Sequence, residues 1–207
     1  RGSQAGHAQE HDNVDALPSA PSSPTAQSLL AYLIFHHDRP TARDKLTGMF
    51  WPERTDARAR RALSNTLWQI GRALGSGADR LVAKRDVLSF ALAEGDWLDA
   101  KAFERKLEES TSLESLRSCL DLYRGEFLEG CYDDWALRER ELYRERCLGV
   151  LERLVQLKKR QGDYQGALAY AQRLATADPL RESAHRELMR LYHLLGRPRA
   201  ALDQFNA

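Results

Sequence analysis

The sequence predicts a mainly α-helical protein in two parts: three helices closed by a β-ribbon, then helices alone. Three observations predict it. Apolar residues recur at three-to-four-residue spacing through most of the chain after Ala26, the period of a helix buried along one side. Between Arg80 and Ala93 that period gives way to two apolar runs flanking Lys84, Arg85 and Asp86, as in two short strands joined by a charged turn. Past Trp97 the pattern Gly162 to Leu168 returns at Gly196 to Leu202, thirty-four residues on.

Taken in order, residues 1–25 carry Pro18, Pro21 and Pro24 among serines and alanines. They bury too little apolar surface to offset the entropy of ordering, so a flexible tail is expected. Order is expected from Ala26, where "AQSLLAYLIFHH" reads as a short buried helix ending in a surface pair, His36 and His37. Pro40 and Thr41 open a second helix, "TARDKLTGMF", with Thr41 as its N-cap. Trp51-Pro52 ends it, because the residue before proline avoids helical geometry. A third helix, capped by Thr55 or Asp56, runs to Leu74 and stops at Gly75 and Gly77. With the ribbon that follows, these elements predict a winged helix-turn-helix over residues 26–97.

Residues 98–207 read as helices throughout: "WLDAKAFERKLEES", "LESLRSCLDLY", "DWALRERELYRERCLGVLERLVQLKKRQG" and "YQGALAYAQRLATADP". The repeat has the tetratricopeptide period, and the small residues Gly162 and Ala167 suit a closely packed helix pair that Asp178-Pro179 closes. An all-α tetratricopeptide-like domain is expected. Its last helix stops mid-pattern at Phe205, so a longer parent protein is expected too. Trp51 and Trp97 are expected to be hydrophobic corner posts.

Net charge is only +1, with 43% hydrophobic and 29% charged residues. The charge is segregated, however. From Arg39 to Arg85 there are eleven basic residues against four acidic ones, whereas acids predominate from Leu98 to Cys147. That asymmetry predicts a basic binding module joined to something else. There is no apolar run of transmembrane length and no signal-peptide core, so a cytoplasmic protein with no membrane partner is expected. The three cysteines, Cys119, Cys131 and Cys147, have neither CxxC nor zinc-ligand spacing and read as core residues in a reducing compartment. No cofactor, metal or enzyme signature is found: no GxGxxG, Walker-type loop, HExxH or GxSxG. The "HRE" at His185 lacks the downstream PCxxC of a deaminase.

The third helix carries the chemistry. At 100° per residue from Leu63, the residues Ala59, Leu67, Ile70 and Leu74 fall within about 40° and should face the core. Arg58, Arg61, Asn65, Trp68 and Arg72 fall between about 140° and 220°, flanked by Ser64 and Gln69. Arginine chelates guanine or grips phosphate, an amide pairs with adenine, and an apolar ring meets a thymine methyl or a sugar edge. This face, with Lys84 and Arg85 of the ribbon and Thr41 and Arg43 of the second helix, is the expected contact with double-stranded DNA.

These motifs in this order give the chain a family resemblance. From about Gln27 onward, "LLAYLIFHHDRPTARDKLTGMFWP", "ARRALSNTLWQIGRALG", "WLDAKAFERKL", "LYRGEFLEGCYDDWALRERELYRERCLGVLERL" and "GDYQGALAYAQRLATADPLRESAHRELMRLYHLLGRPRAAL" resemble the Streptomyces antibiotic regulatory protein type of transcriptional activator. That family joins a response-regulator-type winged helix to a bacterial transcriptional activator domain. The resemblance implies that "ARRALSNTLWQIGRALG" is the recognition helix and "LVAKRDVLSFAL" the wing. It also implies that the helical domain packs beside the DNA-binding domain and serves dimerisation or contact with RNA polymerase. It implies direct-repeat sites near promoters. Two departures stand out. The Pro/Ser-rich tail occupies the place of the family's N-terminal β-sheet, and Gln69 and Gly71 stand where the family often carries arginines. They keep open a second reading, a protein-interaction scaffold with a vestigial winged helix inside a larger signalling protein.

Overall fold

The computed structural model describes residues 19–206, so most of the expected tail lies outside the described residues. The chain divides into two compact units between Asp96 and Trp97. The first contains α1 (Pro24–Phe35), β1 (Thr41–Ala42), α2 (Arg43–Phe50), α3 (Asp56–Leu74), a 3-10 turn (Gly75–Arg80), β2 (Leu81–Ala83) and β3 (Val87–Phe90). Both α1 and α2 pack on α3, and α1 also meets β3. Leu29, Leu33, Leu46, Leu63, Ile70, Leu88 and Phe90 are buried and form the core. The strands make one antiparallel sheet in the order β1-β3-β2, with Thr41 opposite Leu88 and Leu81 opposite Phe90.

Three expectations change here. Thr41 is not a helix cap but a buried strand residue, and Ala42 takes the N-cap position of α2. A β-branched residue after proline suits a pleated edge, and pairing with Leu88 keeps the chain extended for one residue longer. Residues 19–25 are folded in rather than free: the Ser19 amide donates to the Ala73 carbonyl at 3.0 Å, Pro21 is buried, and Pro24 opens α1. Proline fits a first helical position because its missing N–H would be unpaired there anyway. His36 is buried, not on the surface. Its ring meets Tyr32 and Phe35 edge-on at 4.4 and 4.8 Å, and Arg39 donates to its Nδ1 at 3.2 Å.

The second unit is helical throughout: α4 (Asp99–Glu109), α5 (Leu113–Leu120), α6 (Asp134–Arg160), α7 (Tyr164–Ala177), α8 (Glu182–Leu194) and α9 (Pro198–Phe205). Each of these helices packs on the next. Phe103, Leu116, Tyr143 and Leu148 are buried among α4, α5 and α6; Val155, Ala167, Leu168, Ala171, Leu188 and Leu191 form the core of α6, α7 and α8. Gly162 and Gly196 end α6 and α8 in the left-handed region, φ 74° and 68°, where a Cβ is strained. Asp163 then caps α7 by accepting from the Gly166 amide at 2.8 Å.

Arg181 donates to Glu145, Glu152 and Asp178 at 2.6, 2.9 and 3.1 Å, tying α6 to the α7–α8 turn. Cys119 is buried and Cys131 and Cys147 are half-buried, and none of the three is in a disulfide. Trp97 departs from the expected corner post, being 64% exposed, whereas Trp51 is half-buried with Phe50 at 5.9 Å. No helix among the described residues is long and apolar enough to cross a membrane.

Candidate nucleic-acid interface

The helix α3 begins after Pro52 breaks the chain, with Thr55 at the N-cap and Asp56 in the first turn, where a negative charge suits the helix dipole. It ends at Gly75, whose φ of 56° no β-carbon tolerates well. Its buried stripe is Ala59, Leu63, Thr66 and Ile70, while Leu67 and Leu74 are only half-buried. The stripe is therefore rotated slightly from the purely apolar one. Thr66 is accommodated because its hydroxyl donates to the Ala62 carbonyl at 2.9 Å, leaving its methyl for the core.

On the other side, Arg58, Arg61, Ser64, Asn65, Trp68, Gln69 and Arg72 are all exposed. Trp68 is 62% exposed, and the Arg72 guanidinium lies over its ring, 5.0 Å from the centroid. A cation held on an aromatic face is oriented without being neutralised. Among the described residues, Arg58, Arg61 and Arg72 enter no ion pair, while Arg60 on the flank reaches Asp44 at 3.3 Å. The Ser64 hydroxyl donates back to the Arg60 carbonyl at 3.0 Å, so only its acceptor side faces outward.

The ribbon adds a second group. Lys84 and Arg85 are exposed in the β2–β3 turn, closed by the Lys84 amide donating to Val87 at 3.0 Å. The Arg43 amide donates to the Asp86 carbonyl at 2.9 Å, which brings the start of α2 beside that turn. The Arg43 Nε is buried with no hydrogen-bond partner among the described residues. Thr41 is the one candidate set apart from both groups, because its side chain is in the core.

Sequence reasoning missed residues 19–22. Ser19, Ala20, Pro21 and Ser22 flank Trp68, Gln69 and Arg72 around a shallow cavity of about 410 Å³. Pro21 is fastened by its carbonyl, which accepts from the Gln27 side chain at 2.7 Å. No periodicity marks this segment, and only its docking on the end of α3 reveals it. Among the described residues no cluster of three metal-ligating side chains forms.

Mycobacterium tuberculosis EmbR, in a structure with a low affinity phosphopeptide, shares the fold with a TM-score of 0.71 over 90% of this chain, at 20% identity. The chain spans 53% of that protein, about half its length. No curated protein matches the sequence. Residues 90–207, more than half of the chain, match the family described as bacterial transcriptional activator domain. The chain belongs to the bacterial transcriptional activator domain family.

Proposed function

We propose that this chain is a DNA-binding regulator of transcription, with the first unit acting as a winged helix-turn-helix. In this reading α3 enters the major groove and the β2–β3 turn holds the backbone. The helical unit, on a tetratricopeptide-like plan, receives a protein, either RNA polymerase or a second copy. The observation that carries the reading is the open face of α3, with its arginines unpaired and its tryptophan exposed. No carboxylate lies three or four residues from Arg58, Arg61 or Arg72, so the helix itself offers them no ion-pair partner.

Each residue type then has a task. Arg58, Arg61 and Arg72 chelate guanine or grip phosphate, Asn65 and Gln69 pair with adenine, and Trp68 meets a thymine methyl or a sugar edge. Arg43, Lys84 and Arg85 serve the phosphates.

Fluorescence anisotropy with random-sequence duplex DNA across a salt series tests this. Binding that falls steeply with salt is expected, and Arg61→Ala/Arg72→Ala should reduce the salt slope by about two. On the operator, Asn65→Ala should relax base preference by about 1–3 kcal/mol, whereas Lys84→Ala should weaken all sequences alike. Absence of binding at low salt would overturn the reading in favour of the scaffold.

A further inference from the structure

The helical unit carries a cleft that the DNA-binding reading does not use. It has a volume of about 790 Å³ and runs between the C-terminal half of α6 and α8. Arg153 and Arg160 line it from α6, Arg186 and Arg190 line it from α8, and the half-buried Leu157 adds apolar surface above the buried Val155 and Leu174. The arginines are seven apart on one helix and four apart on the other, so each pair shares a helix face.

Positive charge is in excess in this cleft, four arginines against two glutamates, Glu152 and Glu187. Glu152 is engaged by Arg181 at 2.9 Å and Glu187 by Lys159. Arg160 enters no ion pair among the described residues. Arg186 and Arg190 make only loose ones, each 3.7 Å from an acid on its own helix and with most of the arginine side chain in water. Exposed pairs of that kind contribute almost nothing and are readily exchanged for a better acceptor. Arg153 is held by donating to the Ser110 carbonyl, which fixes one end of the wall.

We infer that this cleft binds a short, extended, acidic segment of a partner protein, with carboxylates on the arginines and apolar side chains against Leu157 and the arginine stems. Size and charge both fit. Seven residues of helix rise about 10.5 Å, the reach of about three extended residues. Guanidinium groups pair with carboxylates in a bidentate fork that lysine does not form, so the four arginines suit a carboxylate-bearing ligand. Their stems add apolar wall, which favours a segment alternating acidic and apolar residues over a purely charged one.

The test uses the full chain and two fluorescein-labelled peptides, one alternating glutamate and leucine, the other alternating lysine and leucine. Saturable, salt-weakened binding of the glutamate peptide alone is expected. Arg160→Glu/Arg190→Glu should weaken it at least about tenfold, and Arg160→Gln/Arg190→Gln should weaken it less. Arg138→Glu, an exposed change on α6 outside the cleft, should leave it unaltered. Thermal melting of each variant confirms that the fold persists. Equal binding of the lysine peptide would overturn the inference, as would glutamate-peptide binding that ignores both double variants. So would a loss of duplex DNA binding in those variants as large as the peptide loss, which would make the cleft a phosphate groove.

Discussion

The two longest helices, α3 and α6, are both rich in arginine, and they use it in opposite ways. On α6 most of the guanidinium groups are structural. Arg140 donates to the carbonyls of Phe127, Leu128 and Cys131 at 2.9, 2.6 and 2.9 Å. Arg144 lies 3.7 Å from Asp178 and Arg146 lies 2.7 Å from Glu104. On α3, Arg60 alone reaches a carboxylate, that of Asp44; among the described residues Arg58 and Arg61 enter no ion pair, and Arg72 rests on an indole. An arginine that satisfies backbone carbonyls and carboxylates holds the fold together. An arginine left to water retains its charge for a ligand. Composition alone does not separate the two; the acceptors within reach do.

The sharpest way to break this contrast is Arg140→Ala. Leu128 is left-handed at φ 46°, a conformation that a leucine adopts only under constraint, and Arg140 holds its carbonyl. Removing that half-buried cation should cost about 2–3 kcal/mol, read as a lower thermal midpoint for the helical unit. An unchanged midpoint would mean that the loop holds itself. Next comes Gly71→Ala on α3. A Cβ there meets nothing within 4 Å, so alanine should stabilise by up to about 1 kcal/mol through helix propensity. Destabilisation would mean that the end of α3 relies on glycine's freedom.

Acid should act on the α6 side of the comparison. The Lys158 ammonium holds the Asp163 carboxyl below its usual range, helped by the Gly166 amide, and Arg181 does the same for Asp178. A lowered folded value means stability that is present above the unfolded carboxyl range and lost as pH falls through the folded one. Melting of the helical unit should therefore weaken below about pH 4, and Asp163→Asn should flatten that slope. A slope unchanged by the substitution would assign the acid sensitivity elsewhere. The smallest effect is expected from Arg61→Ala/Arg72→Ala on stability, within about 0.5 kcal/mol by thermal melting. A larger loss would show that these arginines support the fold after all.

Much of the placement of the candidate residues was legible beforehand because it rests on helical periodicity, a local property. The exposed face of α3 emerged as the angular count placed it, from Arg58 to Arg72. The β2–β3 turn with Lys84 and Arg85 followed from two short apolar runs. Thr41 was misread because its partner Leu88 arrives by strand pairing from far along the chain, whereas His36 is buried against Tyr32 and Phe35 of its own helix, a local contact the apolar pattern did not count. Residues 19–22 were misread because proline and serine signal nothing until a surface receives them.

By itself, then, the sequence determined which residues share a helix face, where turns fall, and that Gly162 and Gly196 recur at one spacing. Those depend on neighbours within a turn or two, where sterics and burial period dominate. Only the tertiary structure decided which arginines are spent on the fold. Arg181 meets Glu152 and Glu145 from 29 and 36 residues away, and Arg146 meets Glu104 from 42. Whether a charge is paired depends on chain segments that folding brings together, and no local pattern encodes that distance.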